Sequence, residues 1–207
     1  MTGRRALDPR KQPKQVRGEL TRQRILAAAA QVFAEHGYAA GTTNRIAERA
    51  RVSIGSLYQY YPNKDAILVE LVSRHLDTGE AELRRHQAGE LPDTIEGVLR
   101  VFVHVAVQNH LDAPQLLRVM IEETPNSPEL VRKIGEYERE RVAYVSALFE
   151  RYPEVRVGNP QVAARIVVNT VELVVHKVIA GHEPVDLGQF EEELVAMLTR
   201  YLAPPTD

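Results

Sequence analysis

Between Ser53 and Lys64 the chain gathers Ser53, Ser56, Tyr58, Gln59, Tyr60, Tyr61 and Lys64, a set of hydroxyls, an amide, aromatic rings and an ammonium around one short span. Read as two short helices joined by a tight turn, the segment from Thr42 to Lys64 recognises a duplex groove and performs no chemistry on it. The Gln59 amide pairs with an adenine edge, Ser56 reaches bases or phosphate, and an exposed Ile54 touches a thymine methyl. Thr42, Thr43, Tyr60 and Lys64 are suited to hold a sugar-phosphate backbone and so fix register. One of Tyr58 and Tyr61 is expected to serve the core.

Other chemistry is thinly supplied. The 207 residues contain no Cys, which excludes disulfides, thiol nucleophiles and cysteine-ligated zinc. There is no phosphate-cradling glycine loop and no local metalloenzyme spacing, and the histidines show no local metal pattern. No enzyme, no required metal and no cofactor are therefore expected. The net charge of −2 hides a strong asymmetry: residues 1–64 hold 12 Lys plus Arg against 4 Asp plus Glu, a net of +8, while residues 65–207 hold 14 against 24, a net of −10. A basic front end turns one part of the chain toward phosphates. Residues 1–17, polar and basic, are expected to form a flexible arm. No uncharged apolar run reaches the roughly 20 residues of a bilayer span, so no membrane partner is expected and the expected location is cytoplasmic, at the nucleoid when bound to an operator.

The elements that position these groups read as helices throughout. A first helix over 18–36 carries the apolar stripe Leu20, Ile25, Ala28, Ala29, Val32 and Phe33, and Gly37 closes it. Thr43 is the better cap for a short helix over 44–51, and Ser53 caps the next, over 54–61. Ile46, Ala47, Val52 and Leu57 pack that pair against the first helix, small Ala47 allowing close approach. Asn63 caps a long helix over 64–85. Helices follow from Pro92, over 114–122, 128–151, 161–180 and 187–202. The span 161–180 is apolar on several faces. With the last helix it either closes the monomer core or packs on a second copy through Ile166, Thr170, Val174, Val178, Leu194 and Leu198. The dimer is favoured, because a symmetric reader sets two recognition helices roughly 34–36 Å apart, or a multiple of that, on successive major-groove faces.

Phe102, Leu116, Met120, Tyr137, Tyr144, Val171 and Val175 are candidates to line a pocket between these helices, although each one alone fits ordinary core better. Glu122, Glu123 or Glu172 would balance a cationic effector, and His104, His110 or His176 would hydrogen-bond a neutral or acidic one.

Residues 20–68, LTRQRILAAAAQVFAEHGYAAGTTNRIAERARVSIGSLYQYYPNKDAIL, closely resemble the amino-terminal DNA-binding domain of the TetR family of bacterial transcriptional regulators. The likeness rests on Phe33 with Gly37-Tyr38, the support helix from Thr43 to Ala50, Val52-Ser53, Gly55-Ser56-Leu57-Tyr58, and the Tyr61 and Lys64 exit. It implies an all-α homodimer with a three-helix helix-turn-helix head over 18–63, followed by a larger effector-binding and dimerisation body over 64–204, in which 64–86 is the connecting helix. It further implies binding to palindromic double-stranded DNA, usually to repress transcription. Thr43, Tyr60 and Lys64 match phosphate-contacting positions, Ser53 to Gln59 lie at or near the major groove, and Leu57, Tyr58 and Tyr61 hold the recognition helix. Tyr60 is thereby preferred over Tyr61 for DNA.

Two residues depart from the family's pattern. Arg51 stands where Gly is common, and a non-glycine left-handed residue costs roughly 1–2 kcal/mol, part of which Arg51 recovers by attracting phosphate. Ile54 stands where polar or basic residues are common, and serves either a methyl contact or the scaffold. The expected function is a sequence-specific repressor released from its operator by a non-covalent small organic effector. The alternatives are a small-molecule-binding helical protein without specific DNA activity or, further off, an enzyme.

Overall fold

The computed structural model describes residues 13–111, 114–125, 127–181, 183 and 185–204. Among them every regular element is a helix: α1 (Pro13–Ala40), α2 (Thr43–Arg49), α3 (Ile54–Tyr60), α4 (Lys64–Gln87), α5 (Ile95–Leu111), α6 (Pro114–Glu123), α7 (Pro128–Phe149), α8 (Pro160–Ile179) and α9 (Leu187–Leu202). The chain divides into two compact units between Ile67 and Leu68, four residues beyond the expected boundary. The first turn of α4 belongs to the head because its side chains are tied there. Lys64 Nζ donates to the Tyr38 carbonyl at 2.8 Å and lies 4.0 Å from the Tyr38 ring centre, and the Tyr38 hydroxyl bonds the Asp65 carboxylate.

The head core is Ile25, Ala28, Ala29, Val32 and Phe33 from α1, Ile46 and Ala47 from α2, and Leu57, Tyr61 and Ile67. α1 begins at Pro13, ahead of the expected Gly18; residues 1–12 of the expected basic arm lie outside the described residues. Leu20 is 54% exposed and does not join the stripe. Five residues separate it from Ile25, which at about 100° per residue places it about 140° away from that face. Gly37 leaves helical geometry with φ 71, as its place at the end of the stripe predicts. A Cβ on Gly41 would sit 2.5 Å from the Phe33 ring, so that chain reversal admits no side chain.

The caps explain where the short helices start. Thr42, not Thr43, caps α2: its hydroxyl accepts from Arg45 N–H at 3.3 Å, while Thr43 is already helical. The cap must reach three residues on, and Thr42 has that spacing. Ser53 caps α3 through Ser56 N–H at 3.0 Å, and Asn63 caps α4 through Ala66 N–H at 2.8 Å.

In the body, α5 packs against α8 and α9, and α7 packs on α8. Val98, Val103, Val107, Leu148, Phe149, Val167 and Leu202 fill the core, with Ala163 and Ala164 of α8 buried among them. Pro92 precedes α5 and does not enter it; its carbonyl accepts from the Tyr152 hydroxyl at 2.7 Å, and Thr94 meets the Gly97 N–H at 3.2 Å. Leu194 and Leu198, expected at a dimer interface, are 5% and 2% exposed. They already pack into the core of their own chain and have no surface to offer a second copy. Val162, Ile166, Leu173, Met197 and Tyr201 are instead the exposed apolar residues of α8 and α9, and Thr170, Val174 and Val178 are half-buried beside them. Among the described residues no helix is long and apolar enough to cross a membrane.

Candidate nucleic-acid interface and body cavity

α3 is held from beneath and bare above. Leu57 is fully buried and Tyr61 nearly so, over Ile46 and Ala47 of α2, with Val52 half-buried in the turn. On the outer face Ser53, Ile54, Tyr58, Gln59 and Tyr60 are exposed, and Ser56 is half-buried with its hydroxyl 2.8 Å from that of Ser53. The exposure of Ile54 favours contact with a partner over scaffold packing. Tyr58, expected in the scaffold, is 51% exposed. It follows Leu57 by one residue, about 100° around the helix, so only one of the two can face the core. Its hydroxyl lies 3.2 Å from that of Thr43, which braces α2 and α3 at their rim. Tyr61 is the core aromatic.

The turn between α2 and α3 contains the only non-glycine positive φ among the described residues, Arg51 at φ 53. The guanidinium of Arg24, on α1, donates to the Ala50 carbonyl at 2.5 Å and the Arg51 carbonyl at 3.0 Å. Two charge-assisted bonds from a neighbouring helix thus fix the carbonyls of the strained turn. Sequence reasoning missed Arg24, because its partners lie 26 and 27 residues away. Arg49 is held by both oxygens of Glu35, at 2.5 and 2.6 Å, whereas Arg45 stands exposed on α2.

The body holds a cavity of about 140 Å³ among α4, α5, α7 and α8. Phe102, Tyr144, Val171 and Val175 line it as expected, Phe102 and Tyr144 meeting edge-on with ring centres 6.3 Å apart. Leu116, Met120 and Tyr137 are not in its wall. The first two lie on α6, which packs on α5 but contributes no residue to the cavity wall. Tyr137 is drawn to α4, where its hydroxyl donates to Asp77 at 2.5 Å; that bond holds the phenol protonated, with its pKa raised to about 12.

The polar wall is richer than expected. Glu80, Arg141, Glu172, His75, His110 and His176 all line the cavity. Arg141 pairs with Glu172 and lies 3.7 Å from Glu80, itself 7% exposed and held also by Arg84 at 3.0 Å. Glu172, His110 and His176 were candidates from sequence. Glu122 and Glu123 face solvent, and His104 is exposed beside Glu191 at 3.0 Å. His75 and Glu80 were missed, although each follows an inward residue of α4, Leu71 or Leu76, by one helical repeat of four.

His75, His110 and His176 come from three helices, and each offers a ring nitrogen such that these atoms lie within 4.8 Å of one another. The Nε2 atoms of His110 and His176 are 2.7 Å apart, and Nδ1 of His110 bonds the Ala106 carbonyl at 2.5 Å. Burial, ahead of the neighbouring imidazoles, lowers the pKa of His75 and of His176 to about 4; burial also lowers that of His110.

A three-helix reading head joined to a helical body with an apolar cavity defines the class of helix-turn-helix regulators that carry their own ligand-binding body. Comparison with known proteins narrows this class. Residues 25–71 match the tetR family of bacterial regulatory proteins, and residues 94–202, over half the chain, match the tetracyclin repressor-like C-terminal domain. The chain belongs to the TetR family.

The head region is 43% identical over 71 residues to the HTH-type transcriptional regulator HbdR of Aromatoleum sp. (strain CIB), covering 34% of this chain and 31% of HbdR; the match thus spans under a third of that relative. A tetR-family regulatory protein from Rhodococcus RHA1 shares the fold, with a TM-score of 0.70 at 24% identity over 90% of this chain and 98% of its own. SmeT, the repressor of the Stenotrophomonas maltophilia multidrug efflux pump SmeDEF, superposes with a TM-score of 0.64 at 26% identity, over 89% of this chain and 91% of its own. SmeT has also been solved in complex with triclosan.

Proposed function

We propose that this chain is a homodimeric, sequence-specific transcriptional repressor, released from a palindromic operator by a small organic effector in the body cavity. The carrying observation is α3: a helix anchored through Leu57 and Tyr61 that leaves Ile54, Gln59 and Tyr60 exposed, in a chain whose residues 1–64 hold eight more basic than acidic residues. Gln59 and Ile54 read base edges, while Thr42, Thr43, Arg51, Ser53, Ser56, Tyr60 and Lys64 position the backbone. Tyr58, by its exposure, joins the backbone set. The exposed apolar residues of α8 and α9, Ile166 and Leu173 with Met197 and Tyr201, support a symmetric interface. The apolar cavity, together with the triclosan complex of SmeT, supports an organic effector. Release requires that the effector bind two dimer conformations unequally. Nothing in this reading calls for catalysis, and it places the protein in the cytoplasm, at the nucleoid when bound.

Selection of bound sites from random duplex DNA tests this reading. An inverted repeat is expected, with Lys64→Ala weakening all related sites alike and Gln59→Ala changing the preferred sequence. Because Lys64 also ties Tyr38, thermal unfolding of each variant is compared in parallel. Failure to enrich any inverted repeat at moderate salt would leave a ligand-binding protein without specific DNA activity.

A further inference from the structure

The inner wall of the body cavity carries three imidazoles that the proposed repressor does not by itself require. His75 on α4, His110 on α5 and His176 on α8 converge with one ring nitrogen each inside a 4.8 Å set. Three imidazoles from three separate helices are costly to gather in an apolar wall, since each buried ring nitrogen needs a partner. His110 shows how one is aimed. Its Nδ1–H donates to the Ala106 carbonyl, so its Nε2 is the unprotonated atom, pointing at His176 Nε2 2.7 Å away. A backbone carbonyl that fixes the far nitrogen is the arrangement by which metal-ligating histidines are oriented.

We propose that His75, His110 and His176 form a site for one divalent late first-row cation of the zinc class, with an open coordination position facing the cavity. All-nitrogen donors exclude magnesium and calcium, which demand oxygen. At metal–nitrogen distances of about 2.0–2.1 Å, a tetrahedral centre needs nitrogens roughly 3.3 Å apart. That spacing lies between the 2.7 Å of the His110–His176 pair and the 4.8 Å that bounds the set. Neutral imidazoles do not cancel a double charge, and Glu172 and Glu80, which line the same wall, are themselves matched by Arg141 and Arg84, so the cation brings net positive charge to the cavity. Phe102 and Val171 line the same cavity, which suits an effector with an apolar body and an oxygen donor at one end. Assigning the metal to effector sensing rests on the proposed repressor reading; the coordination itself does not.

The test uses the full-length protein stripped with chelator and titrated with cobalt chloride, then with zinc chloride in competition. The expected result is one cobalt per chain, the visible absorption of a tetrahedral centre, and loss of that signal on adding zinc. His75→Gln, His110→Gln and His176→Gln are each expected to weaken cobalt binding by at least ~100-fold, since even outer partners of metal ligands are worth 10–100-fold. His104→Gln, exposed and outside the cavity, leaves it unchanged. Should the three variants not fold, X-ray absorption on the wild-type cobalt form decides the matter, with three imidazoles in the coordination shell required. No stoichiometric binding, an octahedral oxygen shell, or full binding by folded variants would overturn the proposal. No DNA enters any of these measurements, so a failed metal site and a failed repressor reading give separate signals.

Discussion

The head and the body place their polar chemistry on opposite sides of their cores. In the head, Leu57 and Tyr61 are buried so that Gln59, Tyr60 and Ile54 stand outside. In the body, Glu80, Arg141, Glu172 and three histidines share the wall of a mainly apolar cavity. An outward-facing set suits a large, hydrated, charged partner that is read through many small contacts. An inward-facing set suits a small ligand, since a buried polar group is costly unless paired and a ligand completes the pairing. The two units therefore differ in what perturbs them: the head in its packing, the body in its protonation.

The largest effect tests whether the two units are energetically distinct. Phe33 is fully buried, sits 5.4 Å from Tyr38 ring to ring, and closes over Gly41. Phe33→Ala is expected to cost about 3–5 kcal/mol in the head and to abolish operator binding. Hydrogen exchange followed by mass spectrometry should show lost protection in α1 to α3 while α5, α8 and α9 keep theirs. Equal loss of protection in both units would break the comparison.

The body answers to pH. The pKa values of His75 and His176 are about 4 when folded, against about 6.5 for a solvated histidine. The unfolded chain therefore binds more protons between those values, so the stability present above about pH 6.5 is lost as pH falls toward 4. Each pH unit in that window costs up to about 1.4 kcal/mol per imidazole that remains neutral. The groups facing the cluster oppose one another: Glu172 favours the charged form of His75, whereas Arg141 disfavours that of His176. Denaturant titrations of metal-free protein at pH 7, 6 and 5 measure the slope. His75→Gln should flatten it, and an unchanged slope would place the acid sensitivity elsewhere.

The same contrast decides what could be read from sequence. The reading surface is contiguous, twelve residues from Ser53 to Lys64, and its caps and anchors are local, so Ser53, Leu57 and Asn63 were legible from spacing alone. Thr42 and Thr43 are not separable in sequence, because adjacent threonines offer the same cap chemistry and only backbone geometry distinguishes them. The helices of the body were legible from period, but the identity of the cavity wall was not. His75 and His110 are 35 residues apart and His110 and His176 are 66 apart, a separation at which no local pattern survives. Leu194 and Leu198 were placed at an interface because a stripe shows that a helix has a buried face and not what covers it. The pair of Arg24 with the Arg51 turn was invisible for the same reason of distance.

That turn supplies the smallest effect and the most discriminating one. Arg51 holds φ 53, which costs a non-glycine residue roughly 1–2 kcal/mol, while a glycine there gives back about 0.5–1 kcal/mol in unfolded-state entropy. Arg51→Gly should therefore stabilise the head by about 0.5–1 kcal/mol, read as a higher denaturant midpoint at unchanged slope. The carbonyls that Arg24 holds belong to the backbone and survive the substitution. If Arg51 also faces phosphate, the same variant binds its operator more weakly across all sequences, and the slope of log affinity against log salt shrinks by about 1. Stability and affinity then move in opposite directions, as expected of a strained residue kept for a contact outside the fold. A less stable Arg51→Gly protein would mean that the arginine side chain supports the head itself. A stabilised protein with unchanged operator affinity and salt slope would mean that the strain at this turn has no counterpart in DNA binding.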